Sequence, residues 1–82
     1  MEVILTREAK KALARLPLNH REKVSKKMLL LEHEPFYGKK LGGELANLRS
    51  MKAWPYRILY IIDEKRKEVY VFNILHRQGA YK

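Results

Sequence analysis

The chain has 82 residues, a length that accommodates one small domain with a thin core. It has no cysteine, which excludes disulfides and thiolate metal sites. Eighteen Lys and Arg residues against nine Asp and Glu residues give a net charge of +9, which predicts an anionic partner such as a nucleic acid, an acidic protein or both. No apolar run is long enough to cross a membrane and the N-terminal residues lack the apolar block of a secretory signal, so we predict a single cytoplasmic domain over residues 1–82 that does not bind membranes.

The first part of the chain predicts one short strand followed by two helices. Residues 2–5 are β-prone, and Thr6 is placed to cap a helix that Pro17 ends. A second helix is predicted from a capping box formed by Asn19 and Glu22. The apolar stripes of the two helices contain Ala9, Leu13 and Leu16, and then Val24, Met28 and Leu31. This pattern predicts a helical hairpin with a basic outer face.

The second part of the chain predicts a loop and then a sheet. Residues 34–44 contain a proline and a Gly-Gly pair and are predicted to form the loop. Strands are predicted at residues 45–53, 56–62 and 69–75, with a turn at residues 63–66. The order β-α-α-β-β-β predicts an α+β fold, in which an antiparallel β-sheet is backed by the N-terminal helical hairpin and the first strand contacts a C-terminal one.

Alternation along the strands assigns side chains to the two faces of this sheet. In the middle strand, one face is predicted to carry the side chains of Tyr56, Ile58, Tyr60 and Ile62. The other face is predicted to carry those of Arg57, Leu59 and Ile61. In the last strand one common side is predicted for Val69, Val71, Asn73, Leu75 and Arg77. Since both faces are largely apolar, we expect the helices to cover one face and another group to shield part of the other.

Several kinds of site are not predicted by this sequence. His20, His33 and His76 lie in different predicted elements without further ligands at metal-binding spacing, so we predict no metal site. The Gly-Gly pair lacks the Lys-Ser/Thr ending of a phosphate loop and predicts a turn, and we predict no cofactor. The remaining candidate site is a cluster of cations and hydrogen-bonding aromatic residues that consists of Arg49, Lys52, Tyr56, Arg57, His76, Arg77 and Tyr81.

Such a cluster can bind a phosphodiester and, when the substrate is RNA, can cleave it without a metal. The RNA 2'-hydroxyl attacks the neighbouring phosphorus, a base removes its proton, Arg or Lys stabilises the crowded phosphorane, and an acid protonates the departing 5'-oxygen. DNA lacks that hydroxyl and is spared. A lysine base has to be neutral, which nearby guanidinium groups favour, whereas a histidine titrates near neutral pH without help.

The same residues also have ordinary structural interpretations. Arg57 and Lys52 can be solvated sheet residues, and His76 can be structural. Tyr56 alternates with isoleucines and is expected in the core. Trp54 precedes a proline and can either stack on a base or cover the edge of the sheet.

Two segments resemble a known family. The stretches "KKLGGELANLRSMKAWPYRILYIID" and "VFNILHRQGAYK" are similar to the RelE/ParE superfamily of type II toxin-antitoxin toxins, and the likeness extends over nearly the whole chain. It implies a compact sheet-and-hairpin fold. In the RelE branch it implies an endoribonuclease that cleaves mRNA in the ribosomal A site and so inhibits translation.

The resemblance also implies roles for individual residues. Arg57 matches the arginine that stabilises the transition state, Arg77 the second arginine, and Tyr81 the C-terminal tyrosine that positions or protonates. Lys52 matches a basic position on the preceding strand and is expected, with Arg49 as the alternative, to aid activation of the 2'-hydroxyl, and His76 is a candidate to share the acid role. The sequence departs from the family pattern two residues before Lys52. The family is expected to have a partner for Lys52 there, but this chain has Ser50, with Arg49 one residue further away. RNA binding is assigned to Arg49, Lys39, Lys40 and Trp54.

Two other functions are compatible with the sequence. The ParE branch uses the same scaffold to inhibit DNA gyrase without a nuclease site, and its members usually lack the complete Arg, Arg, Tyr set for which this chain has candidates. A passive nucleic-acid-binding module is the third possibility. In either toxin branch the resemblance implies a cognate acidic antitoxin, and a charge of +9 suits a partly disordered acidic segment that folds on binding.

Overall fold

The structure of the protein is a computed structural model that describes residues 1–41 and 47–77. Its elements in chain order are β1 (Glu2–Leu5), α1 (Arg7–Ala14), α2 (Leu18–His33), β2 (Lys39–Lys40), β3 (Arg49–Ala53), β4 (Tyr56–Asp63) and β5 (Glu68–His76). The five strands form one sheet in the order β1-β5-β4-β3-β2, and both helices pack against it. The predicted α+β fold, with a helical hairpin on a sheet, is confirmed.

The sheet is mixed, because β1 lies parallel to β5 while the other neighbours are antiparallel. Val3 pairs with Val69 at the centre of the parallel contact. The expected contact between the first strand and a C-terminal strand is therefore confirmed, but the expectation of a wholly antiparallel sheet is wrong for this edge. The helical hairpin covers one face of the sheet next to this edge, with α1 against β5 and α2 against β1.

Helix α1 begins as predicted, with Thr6 at its N-cap. The Thr6 hydroxyl accepts a hydrogen bond from the Ala9 N–H at 3.2 Å and donates one to the Phe72 carbonyl at 3.0 Å. The backbone N–H of Thr6 also donates to the Val71 carbonyl at 3.0 Å. One residue thus satisfies an orphan donor of the helix and fixes the helix start to β5.

Helix α2 begins two residues earlier than its predicted capping box implies. Pro17 occupies the N-cap and no side chain caps the helix, so the prediction of an Asn19 and Glu22 box is wrong. Proline suits a helix start because its ring fixes φ near the helical value and it has no N–H to leave unsatisfied. Arg21 donates to the carbonyls of Ala14 and Leu16 at 3.0 and 3.1 Å and so joins the two helices.

The connection between α2 and β3 differs from the prediction in two ways. Part of the predicted loop, Lys39–Lys40, forms strand β2 and pairs with Arg49 and Ser50 of β3. The predicted strand at 45–53 begins only at Arg49, while residues 42–46 lie outside the described part of the chain. A two-residue strand is too short to produce an alternation that sequence reading can detect.

The alternation predicted for β4 is confirmed, since Tyr56, Ile58 and Tyr60 are buried towards the helices. Strand β5 departs from it, because Val71 and Asn73 pair with consecutive residues of β4 and Phe72 is an extra residue, a β-bulge. The bulge reverses the alternation, and Ile74 rather than Asn73 is buried. The common side predicted for the last strand is therefore wrong for the set Val69, Val71, Asn73, Leu75 and Arg77.

The core lies between the helical hairpin and one face of the sheet. The stripe residues predicted for α2 are all buried, and so are the central residues of three strands. The fully or nearly fully buried members include Ala9, Val24, Met28, Leu31, Met51, Ile58, Tyr60, Val69 and Val71. Among the helices of the described residues, none is long and apolar enough to span a membrane.

Candidate functional site

The candidate site lies on the face of the sheet opposite the helices. Lys52 of β3 and Arg57 of β4 are direct cross-strand partners. Their neighbours Met51 and Ile58 are buried towards the helices, so alternation directs Lys52 and Arg57 to the other face. Two cations thus stand side by side at the end of the β3–β4 hairpin.

Arg77 reaches the same place from the end of β5. Its backbone N–H donates to the Pro55 carbonyl at 2.8 Å, and its guanidinium lies over the Trp54 ring, 4.6 Å from the centroid. Together with Lys52 and Arg57 it borders a cavity of about 150 Å³, which we name the Arg57 cavity. The cavity is lined by Lys52, Trp54, Pro55, Tyr56, Arg57 and Arg77.

A second, larger cavity adjoins the first and shares Lys52 and Arg57 with it. Its volume is about 320 Å³, and we name it the Tyr37 cavity. The remaining lining comes from β2, β3 and the loop before β2, namely Tyr37, Gly38, Lys39, Lys40, Leu41, Ser50 and Met51. Among the described residues neither cavity has an acidic lining residue, so the pair forms a cationic groove suited to an anionic chain.

The loop that carries Tyr37 is held firmly on its inner side. The Tyr60 hydroxyl donates to the Pro35 carbonyl and accepts from the Gly38 N–H, both at 2.8 Å. A Cβ atom at Gly38 would lie 2.6 Å from that hydroxyl and 2.9 Å from the Ser50 carbonyl oxygen, so only glycine fits this close approach. Burial raises the pKa of Tyr60 above its ordinary value of 10.0, against smaller opposing effects from Gly38 and Arg49.

Arg49 lies on the side of the sheet away from the groove. It pairs with Tyr60, and its guanidinium donates to the Gly38 carbonyl at 2.7 Å and the Phe36 carbonyl at 3.3 Å. The same group lies 4.9 Å from the centroid of the Phe36 ring. In this structure Arg49 holds the loop and is not among the lining residues of either cavity, so the RNA contact predicted for it stays a prediction.

His76 also lies on the helix side, because it pairs with Tyr56 across β4 and β5. The two rings meet edge to face with centroids 5.5 Å apart. The Tyr56 hydroxyl is 3.0 Å from Nδ1 of His20 on α2, and that ring also meets Tyr56 edge to face. The structure therefore places His76 beside α1 and α2 rather than beside Lys52 and Arg57, since neighbouring residues of a strand point to opposite faces.

The other predicted residues are distributed as follows. Lys39 pairs with Ser50 and belongs to the groove face, whereas Lys40 pairs with Arg49. Trp54 is 58% exposed beside Arg77. Tyr81 lies outside the described residues. Within residues 1–41 and 47–77, no group of three or more His, Asp or Glu side chains is placed to hold a metal ion.

Two features of the groove were missed by sequence reasoning. Tyr37 is 58% exposed at the mouth of the second cavity, and the Oγ atom of Ser50 is buried without a hydrogen-bond partner in the described structure. The "FYGKK" stretch, with aromatic residues next to glycine and two lysines, was the available signal for Tyr37. Nothing in the sequence indicated the environment of Ser50, which depends on its pairing with β2.

Comparisons with known proteins agree on one family. A family model described as the ParE toxin of the type II toxin-antitoxin system parDE matches residues 3–81. Among solved structures, the toxin-antitoxin complex RelBE2 from Mycobacterium tuberculosis contains a chain 33% identical to this one, with a TM-score of 0.85 and coverage of 93% of this chain and 96% of that chain. A chain of the RelE–RelB complex from Pyrococcus horikoshii OT3 is 26% identical, with a TM-score of 0.79 and coverage of 96% of this chain and 97% of that chain.

A chain of the chromosomal ParDE system from P. aeruginosa is 17% identical, with a TM-score of 0.74 and coverage of 93% and 95%. At that identity the likeness shows the fold alone. A comparison with curated proteins gave no significant match. The matched structures thus include both RelE and ParE proteins.

Proposed function

The chain belongs to the ParE toxin family of type II toxin-antitoxin systems, within the RelE/ParE superfamily, and within that superfamily we propose that it acts as the RelE branch does, as a ribosome-dependent endoribonuclease. Its substrate in this proposal is mRNA in the ribosomal A site, and its cleavage of that mRNA inhibits translation. The reaction needs no metal, because guanidinium and ammonium groups supply the positive charge that a phosphorane requires.

One observation carries the proposal: Lys52, Arg57 and Arg77 come from three separate strands or strand ends and line one cavity. Like charges repel, so the mutual repulsion of three neighbouring cations opposes gathering them in one place. An anionic ligand offsets that cost. A scissile phosphate fits because its negative charge increases in the transition state, where preorganised donors act most strongly.

Each residue has a role in the proposed reaction. Lys52, flanked by guanidinium groups, accepts the proton of the RNA 2'-hydroxyl as that oxygen attacks phosphorus. Arg57 and Arg77 stabilise the phosphorane oxygens. The 5'-oxygen then leaves with a proton from an acid, and the products are a 2',3'-cyclic phosphate and a free 5'-hydroxyl.

The acid is assigned to Tyr81 on the basis of the family resemblance. His76, the other candidate, contacts Tyr56 on the helix side of the sheet, whereas Lys52 and Arg57 lie on the other face. We therefore assign His76 a packing role with Tyr56 in this proposal, which supports the strand that carries Arg57.

A cognate antitoxin belongs to the same proposal. The matched chains from M. tuberculosis and P. horikoshii come from toxin-antitoxin complexes, and the net charge of +9 on this chain suits an acidic partner. Translation on the ribosome places the action of the toxin in the cytoplasm.

The proposal is tested by primer extension on a translated message after induction of the wild-type protein and of Arg57→Ala. We expect new mRNA 5' ends with the wild type and a rate about 10²- to 10³-fold lower with Arg57→Ala, the loss typical of one removed transition-state donor. Arg7→Ala, which removes an exposed arginine at the start of α1, is the matched control and should cleave like the wild type.

A gyrase-directed toxin is the second candidate, favoured by the family model, which is described as ParE. It predicts intact transcripts and loss of DNA supercoiling by purified gyrase. Blocked replication with unchanged mRNA ends would replace the nuclease proposal with this one. A passive nucleic-acid-binding module would show neither effect, and its Arg57→Ala variant would lose affinity only.

A further inference from the structure

The Tyr37 cavity has the composition of a nucleotide-binding site that none of the family resemblances assigned. It continues the groove beyond Lys52 and Arg57 and is about twice the size of the Arg57 cavity, at about 320 Å³ against about 150 Å³. That volume falls in the range of small-molecule sites in proteins. Any RNA bound at Arg57 must extend along the groove in one direction or the other.

Tyr37 has the exposure and the support of a stacking platform. Its side chain is 58% exposed, although the backbone on both sides is fixed by hydrogen bonds. The Tyr37 N–H donates to the Glu34 carbonyl at 3.1 Å, and Gly38 is held by Tyr60 and Arg49. Because the backbone on both sides of the exposed ring is already ordered, the protein loses little conformational entropy when a ligand binds there.

Ser50 supplies an independent observation that indicates a polar ligand. Its side chain is 93% buried, as only 7% is exposed, and Oγ has no hydrogen-bond partner among the described residues. Buried hydroxyl groups are normally paired, because leaving one unpaired costs free energy. Ser50 lines the Tyr37 cavity, so a ligand in that cavity provides the missing partner.

We infer that the Tyr37 cavity is a subsite for the nucleotide that neighbours the scissile phosphate, with its base stacked on Tyr37 and a base-edge or ribose atom hydrogen-bonded to Ser50 Oγ. Lys39 pairs with Ser50 across β2 and β3 and supplies positive charge for the adjoining phosphate. The groove then has an aromatic residue at each end, Trp54 and Tyr37, with Lys52 and Arg57 between them. This inference rests on the proposed function for the identity of the ligand as RNA.

The subsite is tested with a fluorescein-labelled 2'-O-methyl hexanucleotide, which lacks the attacking hydroxyl and therefore binds without being cleaved. Affinity is measured by fluorescence anisotropy with the full chain. Tyr37→Ala should weaken binding about 5- to 150-fold, the effect of losing one stacked base. Tyr37→Phe should bind like the wild type because the ring is kept. Phe72→Ala, which removes an exposed aromatic residue outside both cavities, should also bind like the wild type.

Ser50→Ala separates a ligand contact from a structural role. Its hydroxyl has no protein partner to lose, so the variant should melt at or above the wild-type temperature while its affinity for the hexanucleotide falls about 2- to 10-fold. A variant that is less stable but binds normally would show that Ser50 serves the fold only and would overturn its part in the subsite.

Failure of the subsite differs from failure of the proposed function. If Tyr37→Ala binds the hexanucleotide as tightly as the wild type, or if the wild type does not bind it, the subsite is overturned whatever the cleavage assay shows. If the wild type binds with the expected dependence on Tyr37 and Ser50 but leaves mRNA uncut, the nuclease function fails and the nucleotide subsite stands.

Discussion

Arg49 and Lys52 are three residues apart on β3, and this odd spacing places them on opposite faces of the sheet. Arg49 donates to the Gly38 and Phe36 carbonyls and so stabilises the loop before β2, whereas Lys52 lies beside Arg57 in the groove. Two similar cations in one strand therefore differ in what they can contact. Sequence reasoning placed both in one candidate site, with Arg49 assigned to RNA binding and Lys52 to catalysis.

Tyr60 is buried in the core, and its hydroxyl hydrogen-bonds the loop that borders the groove. Tyr60→Phe should lower the free energy of unfolding by about 1–3 kcal/mol at pH 7, because the variant leaves the Gly38 N–H and the Pro35 carbonyl without their buried partner. The pKa of Tyr60 is raised in the folded state above the value of 10.0, so its stabilising contribution is complete below pH 10 and is lost as pH rises through the folded pKa.

The difference between wild type and Tyr60→Phe should accordingly shrink above pH 10, which urea denaturation at pH 7 and in the alkaline range can measure. Tyr37→Phe, which changes an exposed hydroxyl, is the control and should track the wild type. A constant difference at all pH values would mean that Tyr60 ionises as readily in the folded protein as in the unfolded chain.

At the scale of the elements, pairing and register decide the site. The bulge at Phe72 reverses the alternation of β5, so that Leu75 pairs with Arg57 and His76 pairs with Tyr56. Strand β2, although only two residues long, brings Lys39 opposite Ser50 and closes one side of the Tyr37 cavity. A shift of one residue in either strand would exchange which side chains face the groove.

Gly38 tests how strictly the loop before β2 is positioned. Gly38→Ala should destabilise the fold by about 1–3 kcal/mol, because the added methyl group meets the Tyr60 ring and hydroxyl and the Ser50 carbonyl oxygen below normal contact distance. Urea denaturation gives the change. Lys40→Ala, an exposed position two residues later, should stay within about 0.5 kcal/mol of the wild type. Equal stability of Gly38→Ala would show that the loop moves freely away from Tyr60.

At the scale of the whole molecule, a charge of +9 draws any anion towards the protein, but only the groove should hold one closely. Each phosphate contact on single-stranded RNA adds about −0.7 to the slope of log affinity against log salt concentration. Contacts from the guanidinium groups of Arg57 and Arg77 together predict a slope of about −1.4.

Arg57→Ala should therefore make the slope less steep by about 0.7, while Lys26→Ala, an exposed lysine of α2, should leave it unchanged. Anisotropy titrations with the 2'-O-methyl hexanucleotide between 50 and 200 mM salt, roughly the range over which such effects are large, measure both slopes. An equal decrease from the two variants would indicate diffuse attraction to the whole surface rather than contact in the groove.

Most of the fold could be predicted from the sequence because its signals are local. Thr6 caps α1, α1 ends before Pro17, α2 ends before Pro35, and the stripe through Val24, Met28 and Leu31 is buried. Helical and strand spacing of apolar residues reports which side of an element faces the core, wherever that core is. The prediction failed at the Phe72 bulge, where one extra residue reverses the alternation of side chains, and at strand β2, which is too short to show an alternation.

The sequence by itself determined the family resemblance, the order of the main elements and the excess of positive charge, since composition and short-range spacing carry all three. Only the tertiary structure decided which cations share a cavity. Lys52, Arg57 and Arg77 meet because β3, β4 and the end of β5 are paired in one register, while the same register sends Arg49 and His76 to the helix side. Side-chain direction in a sheet depends on pairing between distant segments, and no local pattern in the chain specifies it.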